Sequence, residues 1–267
     1  MKHLPNVLTL ANLFFGCVAI AYILNASSFL TTVTGESYTP VLGLPQLYLG
    51  SLFIGLAALC DVFDGLAARM LHATSAIGRD LDSLADVVSF GVAPAMIMYK
   101  LLWFSYMAEP GAMDISILVI APAFLLPCFG ALRLARYNQT ADEQKHYFSG
   151  LPIPAMAIVV ASLPLINWFP AGINFSALFY NRWLLYIMII VLCLLMVSRI
   201  KFLKWKAAGK GLGSWWPQAL IFLTIIIGHF FLKFAVIPVA FILYLILSLI
   251  FRHKNNNTQG PPQTQDL

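Results

Sequence analysis

Hydrophobic positions along this chain come in blocks, and polar positions are confined to the gaps between them. Blocks such as Ile187 to Val197 and Ala219 to Ile227 leave almost no polar face for water. A helix that is apolar all round belongs in lipid or in a deep core. Runs near 20 residues cross the hydrocarbon layer of a bilayer. On that pattern the chain predicts about eight transmembrane helices, at roughly residues 5–26, 45–71, 80–103, 113–137, 152–170, 182–200, 214–231 and 234–251. The stretch from Trp216 to Phe251 is too long for one crossing at about 1.5 Å per residue, so a tight helical hairpin is required near Gly228 to Lys233. The end of the chain, KNNNTQGPPQTQDL, is polar and carries Pro and Gly, a composition that reads as disordered. The expected fold is all-α: a polytopic membrane helical bundle forming one domain over residues 1–252, with a tail over 253–267.

Composition agrees. The chain is 60% hydrophobic and 10% charged, against about 25% charged in a soluble domain. A net charge of +5 raises the question of a nucleic-acid partner. The distribution answers it: Lys and Arg sit at the ends of apolar spans, where they set topology and meet anionic lipid. With the N-terminus in the cytoplasm, 13 of the 16 basic residues fall inside, leaving Lys100, Arg182 and Lys233 outside. That asymmetry predicts an even number of spans and two cytoplasmic termini. Four scattered cysteines, Cys17, Cys60, Cys128 and Cys193, form no CxxC or Cys/His cluster, which excludes a zinc site and a disulfide framework. The first apolar segment lacks a clear A-x-A cleavage site and is read as a retained helix.

One polar stretch interrupts this pattern. DVFDGLAARMLHATSAIGRDLDSLAD, Asp61 to Asp86, holds five aspartates and two arginines and joins spans two and three on the cytoplasmic side. At about 100° per residue, Asp61, Asp64, Gly65 and Ala68 share one helical face with Arg69 at its edge, and Gly78, Asp82, Asp86 and Ser89 fall within a sector of about 80° on the next helix. Asp80 points away. Four carboxylates facing each other near lipid need protons or cations to neutralise them. An oxygen-only ligand set suits a hard divalent cation, Mg²⁺ or Mn²⁺. Four acids can hold two such ions, and two-metal sites typically clamp a phosphate undergoing displacement. The small residues let a bulky ligand approach the backbone, and Arg69 is suited to a phosphate oxygen. Ordinary helix packing with acid–arginine pairing is the plainer alternative, but two arginines cannot neutralise five aspartates. A cation transporter is a third reading of the acids. It leaves the glycine and arginine spacing unexplained, and no internal repeat supports it.

The spacing Asp61-x2-Asp64-Gly65-x2-Ala68-Arg69-x8-Gly78-x3-Asp82-x3-Asp86 resembles the signature of the CDP-alcohol phosphatidyltransferases. Within that family, HLPNVLTLANLFFG near the N-terminus, SFGVAP at Ser89–Pro94, ALRLARYN at Ala131–Asn138 and GLPIPA at Gly150–Ala155 resemble the prokaryotic branch that uses serine. The likeness covers about residues 3–155. It implies a membrane enzyme, with 1–252 as a catalytic domain. The implied reaction carries the phosphatidyl group of CDP-diacylglycerol to the hydroxyl of L-serine, releasing CMP. It implies that Asp61, Asp64, Asp82 and Asp86 hold divalent metal, and that Asp86 is also the general base. Gly65, Ala68, Arg69, Ser75 and Gly78 would line the CDP-lipid site. The family's habit suggests a homodimer in a prokaryotic cytoplasmic membrane, with the active site near the cytoplasmic face. Glycerol phosphate and inositol phosphate are rival acceptors, but anionic acceptors call for a larger basic pocket.

Other features carry two readings each. Arg133 and Arg136 suit the carboxylate of serine through a planar fork or anchor a helix end beside the headgroups. The resemblance tips them towards acceptor binding. Asn6, Thr9, Asn12 and Gly16 form a polar stripe within about 120° on span one, either lining the nucleotide pocket or joining helices. The Gly150–Pro154 stretch reads as loop punctuation. The basic and aromatic run over residues 199–210 reads as an interfacial anchor. His72 reads as a neighbour of the acids, not a ligand.

Overall fold

The computed structural model describes residues 4–26, 28–33, 37–42, 44–71, 75–107, 115–140, 148–169, 181–198, 200–202 and 216–256. Lys2, His72, Lys145, Arg199, Lys204, Lys206, Lys210 and the tail beyond residue 256 lie outside them.

Helices dominate, and their edges fall close to the apolar blocks. The first is α1, Leu4–Leu24, followed by α2, Leu44–Met70. The third span is continuous but not uniform. Helix α3, Ala76–Asp86, passes through a π-helical turn, Val87–Val92, into α4, Ala93–Met107. A short α5, Ile117–Ile120, tightens through a 3₁₀ turn into α6, Leu125–Thr140. Helices α7, Ile153–Trp168, and α8, Arg182–Val197, follow. The last pair is α9, Trp216–Leu232, and α10, Val236–Asn256. The helix of α10 thus takes in the first four residues of the segment that composition assigns to the tail.

Among the described residues, five helical stretches are long and apolar enough to cross a membrane: Leu4–Leu24, Pro45–Met70, Ile77–Met107, Ile117–Gln139 and Ala219–Ile250. Ile153–Trp168 and Arg182–Val197 are apolar but shorter. Ala219–Ile250 does not run straight. It turns at Lys233–Ala235, where Lys233 adopts a φ of 48°. Ile221 then packs with Ala240 and Leu247 in one apolar cluster, which only a folded-back pair of helices allows. This is the hairpin that the length of the block requires.

Two features escape the hydropathy pattern. Ser28–Val33 (β1) and Ser37–Leu42 (β2) form an antiparallel hairpin between α1 and α2, and Phe148–Ser149 (β3) pairs with Lys201–Phe202 (β4). At the second pairing, Gly150 has φ +80°, and a Cβ there would run into the carbonyl oxygen of Met196. Only glycine fits, which gives the Gly150–Pro154 stretch its punctuating role. The outer surface is apolar, with Phe14, Leu59, Val62, Trp183, Leu194 and Phe230 exposed. In lipid that surface faces a solvent of its own kind.

The site lies where α1, α2 and α3 meet. Gly16 lets α1 close on the π turn, because any Cβ there would collide with the Ser89 side chain and meet its Cα at 2.8 Å. Ser89 Oγ then donates to the Asn12 carbonyl at 3.0 Å. The polar stripe of α1 is thus partly a helix-joining device.

Candidate active site

Three aspartates converge from two helices. Each of Asp61, Asp64 and Asp82 offers a carboxylate oxygen, and these oxygens lie within 4.8 Å of one another. Asp61 and Asp64 are one turn apart near the end of α2, and Asp82 faces them from α3. Asp86, one turn further along α3, lies outside that group of three but close enough to interact with the charges of all three, and with Arg133. Asp80 is exposed on the opposite face.

Helix α3 is held in place locally. Ser75 is its N-cap, and its Oγ accepts from the Gly78 N–H at 3.0 Å. Further along, Asn138 Nδ2 of α6 donates to Ser83 Oγ at 2.8 Å. On the other wall, the Thr9 hydroxyl lies 2.8 Å from Asp64 Oδ2 and 3.0 Å from the Pro5 carbonyl. Its single proton serves one of them at a time.

Beside the acids is a cavity of about 240 Å³. Gly65, Ala68, Ser75 and Gly78 line it together with Asp64 and Asp82, and α1 contributes Asn6 and Thr9. Arg79, read from sequence as a topological charge or as a partner of the acids, also lies in this wall. Arg69 does not. It is exposed, and its Nε donates to the Gly65 carbonyl at 2.8 Å. The polar stripe of α1 therefore divides: its first half borders the cavity and its second half joins helices.

The carboxylates have the character of a cation site. Asp82 Oδ1 and Asp86 Oδ1 are buried and find no hydrogen-bond partner among the described residues. Carboxylates packed this closely repel one another, and a bound cation relieves that repulsion. The donor set is oxygen alone, which favours Mg²⁺ or Mn²⁺ over a thiophilic metal.

Arg133 and Arg136 separate. Arg133 is buried on α6, 7% exposed, with its guanidinium 5.4 Å from the Tyr137 ring centroid and near enough to Asp86 to feel its charge. Arg136 is exposed. The site side of α6 thus belongs to Arg133. The i,i+4 spacing of Arg133 and Tyr137 was open to reading in the sequence and was missed.

The family model of the CDP-alcohol phosphatidyltransferases matches residues 2–194. The chain belongs to that family. Among similar proteins is the CDP-diacylglycerol–serine O-phosphatidyltransferase of Helicobacter pylori, 31% identical over 250 residues, covering 92% of this chain and 89% of the relative. Proteins of the same name from Bacillus subtilis and Saccharomyces cerevisiae are 31% and 32% identical. They cover 77% and 60% of this chain, and 93% and 53% of their own lengths. The spacing that resembled the family in sequence is thus the spacing of a family member, an enzyme of phospholipid synthesis.

Proposed function

We propose that this enzyme transfers the phosphatidyl group of CDP-diacylglycerol to L-serine, giving phosphatidylserine and CMP. The observation that carries the chemistry is the convergence of Asp61, Asp64 and Asp82 beside a cavity walled by small residues. The acceptor rests on the names of the relatives and on the SFGVAP run that follows Asp86.

Asp61, Asp64 and Asp82 would hold divalent metal, Mg²⁺ or Mn²⁺, and with Asp86 there are acids enough for two ions. When bound, such ions neutralise the diphosphate and stabilise the departing phosphate. Gly65, Ala68, Ser75 and Gly78 admit the CDP group close to the backbone. The exposed Arg69 supports it from the rim, and Arg79 offers a second cation in the wall. Arg133 presents a planar fork to the serine carboxylate. Asp86, which interacts with the charges of Arg133 and of the other three acids, takes the proton of the serine hydroxyl as that oxygen attacks the β-phosphorus. The bond from the β-phosphorus to the bridging oxygen breaks, and CMP leaves with the electron pair.

The proposed topology has eight crossings. The five long apolar stretches supply six when Ala219–Ile250 is counted as two limbs, and α7 and α8 supply the rest. Both termini and the site then lie on the cytoplasmic side of a prokaryotic membrane. Pairing into a homodimer follows family habit.

An acceptor panel tests the reaction. Purified protein with CDP-diacylglycerol and Mg²⁺ or Mn²⁺ is offered serine, glycerol phosphate or inositol phosphate, and CMP release is followed. Serine-dependent release is expected. Release that follows one of the phosphates instead rules out the serine reading, and release with none of the three removes the transferase reading of the site.

A further inference from the structure

Asp64 differs from its neighbours in having a fixed partner. Asp82 and Asp86 each keep a buried carboxylate oxygen with no hydrogen-bond partner among the described residues. Asp64 Oδ2 lies 2.8 Å from the Thr9 hydroxyl, and both side chains are buried, Asp64 6% and Thr9 4% exposed. The hydroxyl arrives on a separate helix. Helix α1 runs antiparallel to α2 in close contact, from Thr9 against Asp64 to Ile23, whose side chain any Cβ on Gly50 would meet. Thr9 is β-branched and stiff at χ1, so the helix pair delivers the hydroxyl to one place.

The same hydroxyl lies 3.0 Å from the Pro5 carbonyl, and the two acceptors are not equal. In an α-helix that carbonyl already accepts from the N–H four residues on, which here is the N–H of Thr9 itself. A carboxylate that ligates a cation is ionised, and a hydrogen bond to an ionised acceptor is roughly twice as strong as a neutral one. The proton therefore turns to Asp64 when the carboxylate is charged, and it fixes the rotation of that carboxylate. We propose that Thr9 is a positioning residue of the cation site, its hydroxyl orienting the Asp64 carboxylate towards an ion shared with Asp61 and Asp82. This role rests on the reading of the three aspartates as a divalent-metal site. Thr9 also lines the cavity, so direct contact with the CDP group is the rival role.

The test uses the full-length enzyme in detergent. Mn²⁺ binding is followed by the EPR signal of the free ion, without lipid and at saturating CDP-diacylglycerol. Thr9→Val replaces the hydroxyl by a methyl group at nearly constant volume. Thr9→Ala removes the hydroxyl without setting a methyl group against the carboxylate. Both should raise the Mn²⁺ dissociation constant about tenfold to hundredfold, the scale on which a ligand's outer partner acts. Thr9→Ser keeps the hydroxyl and should bind Mn²⁺ as the wild type does. In all three the thermal midpoint of the metal-free protein and the affinity for CDP-diacylglycerol at saturating Mn²⁺ should stay close to wild type. An unchanged Mn²⁺ constant in Thr9→Val and Thr9→Ala overturns the proposal. So does an equal loss in Thr9→Ser, or a lowered metal-free midpoint accompanying the loss, since either makes Thr9 a packing residue. Weaker CDP-diacylglycerol binding at saturating Mn²⁺, with Mn²⁺ affinity intact, assigns Thr9 to the CDP group instead. Wild-type enzyme that binds no Mn²⁺ in either condition removes the metal reading of the acids, and the role of Thr9 with it.

Discussion

Asp86 and its three neighbours differ in placement, and the difference assigns them separable roles. Asp61, Asp64 and Asp82 bring oxygens within 4.8 Å of one another, so an Asn at any of the three would remove a charge from the proposed cation site. Metal-dependent binding of CDP-diacylglycerol should fall in each variant, and turnover with it. Asp86 stands apart from that group and also interacts with the charge of Arg133. As a general base it would contribute roughly 10²–10⁴-fold. Asp86→Asn should therefore lose most CMP release while retaining much of the metal-dependent lipid binding. Both quantities can be read on one purified series with and without Mg²⁺. Near-wild-type release in Asp86→Asn would remove it as base, and equal loss of binding in all four would make it mainly a ligand. At this scale the aspartate spacing was legible in the sequence, because a helix face is a periodic object. The Thr9 contact to Asp64 was not, since it joins residues 55 apart in the chain with no shared period.

Elements were legible wherever hydropathy alone sets them. The eight apolar blocks became helices with edges displaced by a few residues, and the break required within Trp216 to Phe251 fell at Lys233–Ala235. The β1–β2 hairpin was missed because Ser28–Leu42 lies between two much stronger apolar signals. The π turn at Val87–Val92 was invisible for a different reason. VVSFGV is apolar and continuous with its flanks, and one extra residue per turn does not alter a hydropathy run. Its consequence is nonetheless local and testable. The turn carries Ser89 against Gly16, leaving no room for a methyl group on α1. Gly16→Ala should lower the thermal midpoint in detergent, with overpacking costing about 1–3 kcal/mol. Gly55 of α2 is the control, since a Cβ there meets nothing within 4 Å. Gly55→Ala should leave the midpoint unchanged or raise it, as Ala is the better helix former. A Gly16→Ala midpoint equal to that of Gly55→Ala would mean that α1 and the π turn do not close as tightly as drawn.

For the molecule as a whole, parity decides the topology, and the final hairpin decides parity. A straight helix over the 32 residues of Ala219–Ile250 would be about 48 Å long, well beyond the roughly 30 Å of hydrocarbon. Folded at Lys233, each limb is close to the thickness of the layer. The contact of Ile221 with Ala240 and Leu247 belongs to the folded form alone. Six crossings precede the hairpin in the proposed arrangement, so a folded hairpin returns the tail to the side of the N-terminus. A single straight span would send it to the opposite face. Reporter fusions at both ends should therefore agree on the cytoplasm, as the 13-to-3 division of basic residues requires. A second measurement separates a hairpin that crosses from one that only dips. In a background lacking the four native cysteines, Lys233→Cys should react with a membrane-impermeant thiol reagent added outside intact cells. Tail and N-terminus on opposite sides would eliminate the folded hairpin. Agreement at the ends with no labelling at Lys233→Cys would leave the fold intact and reduce the crossings from eight to six.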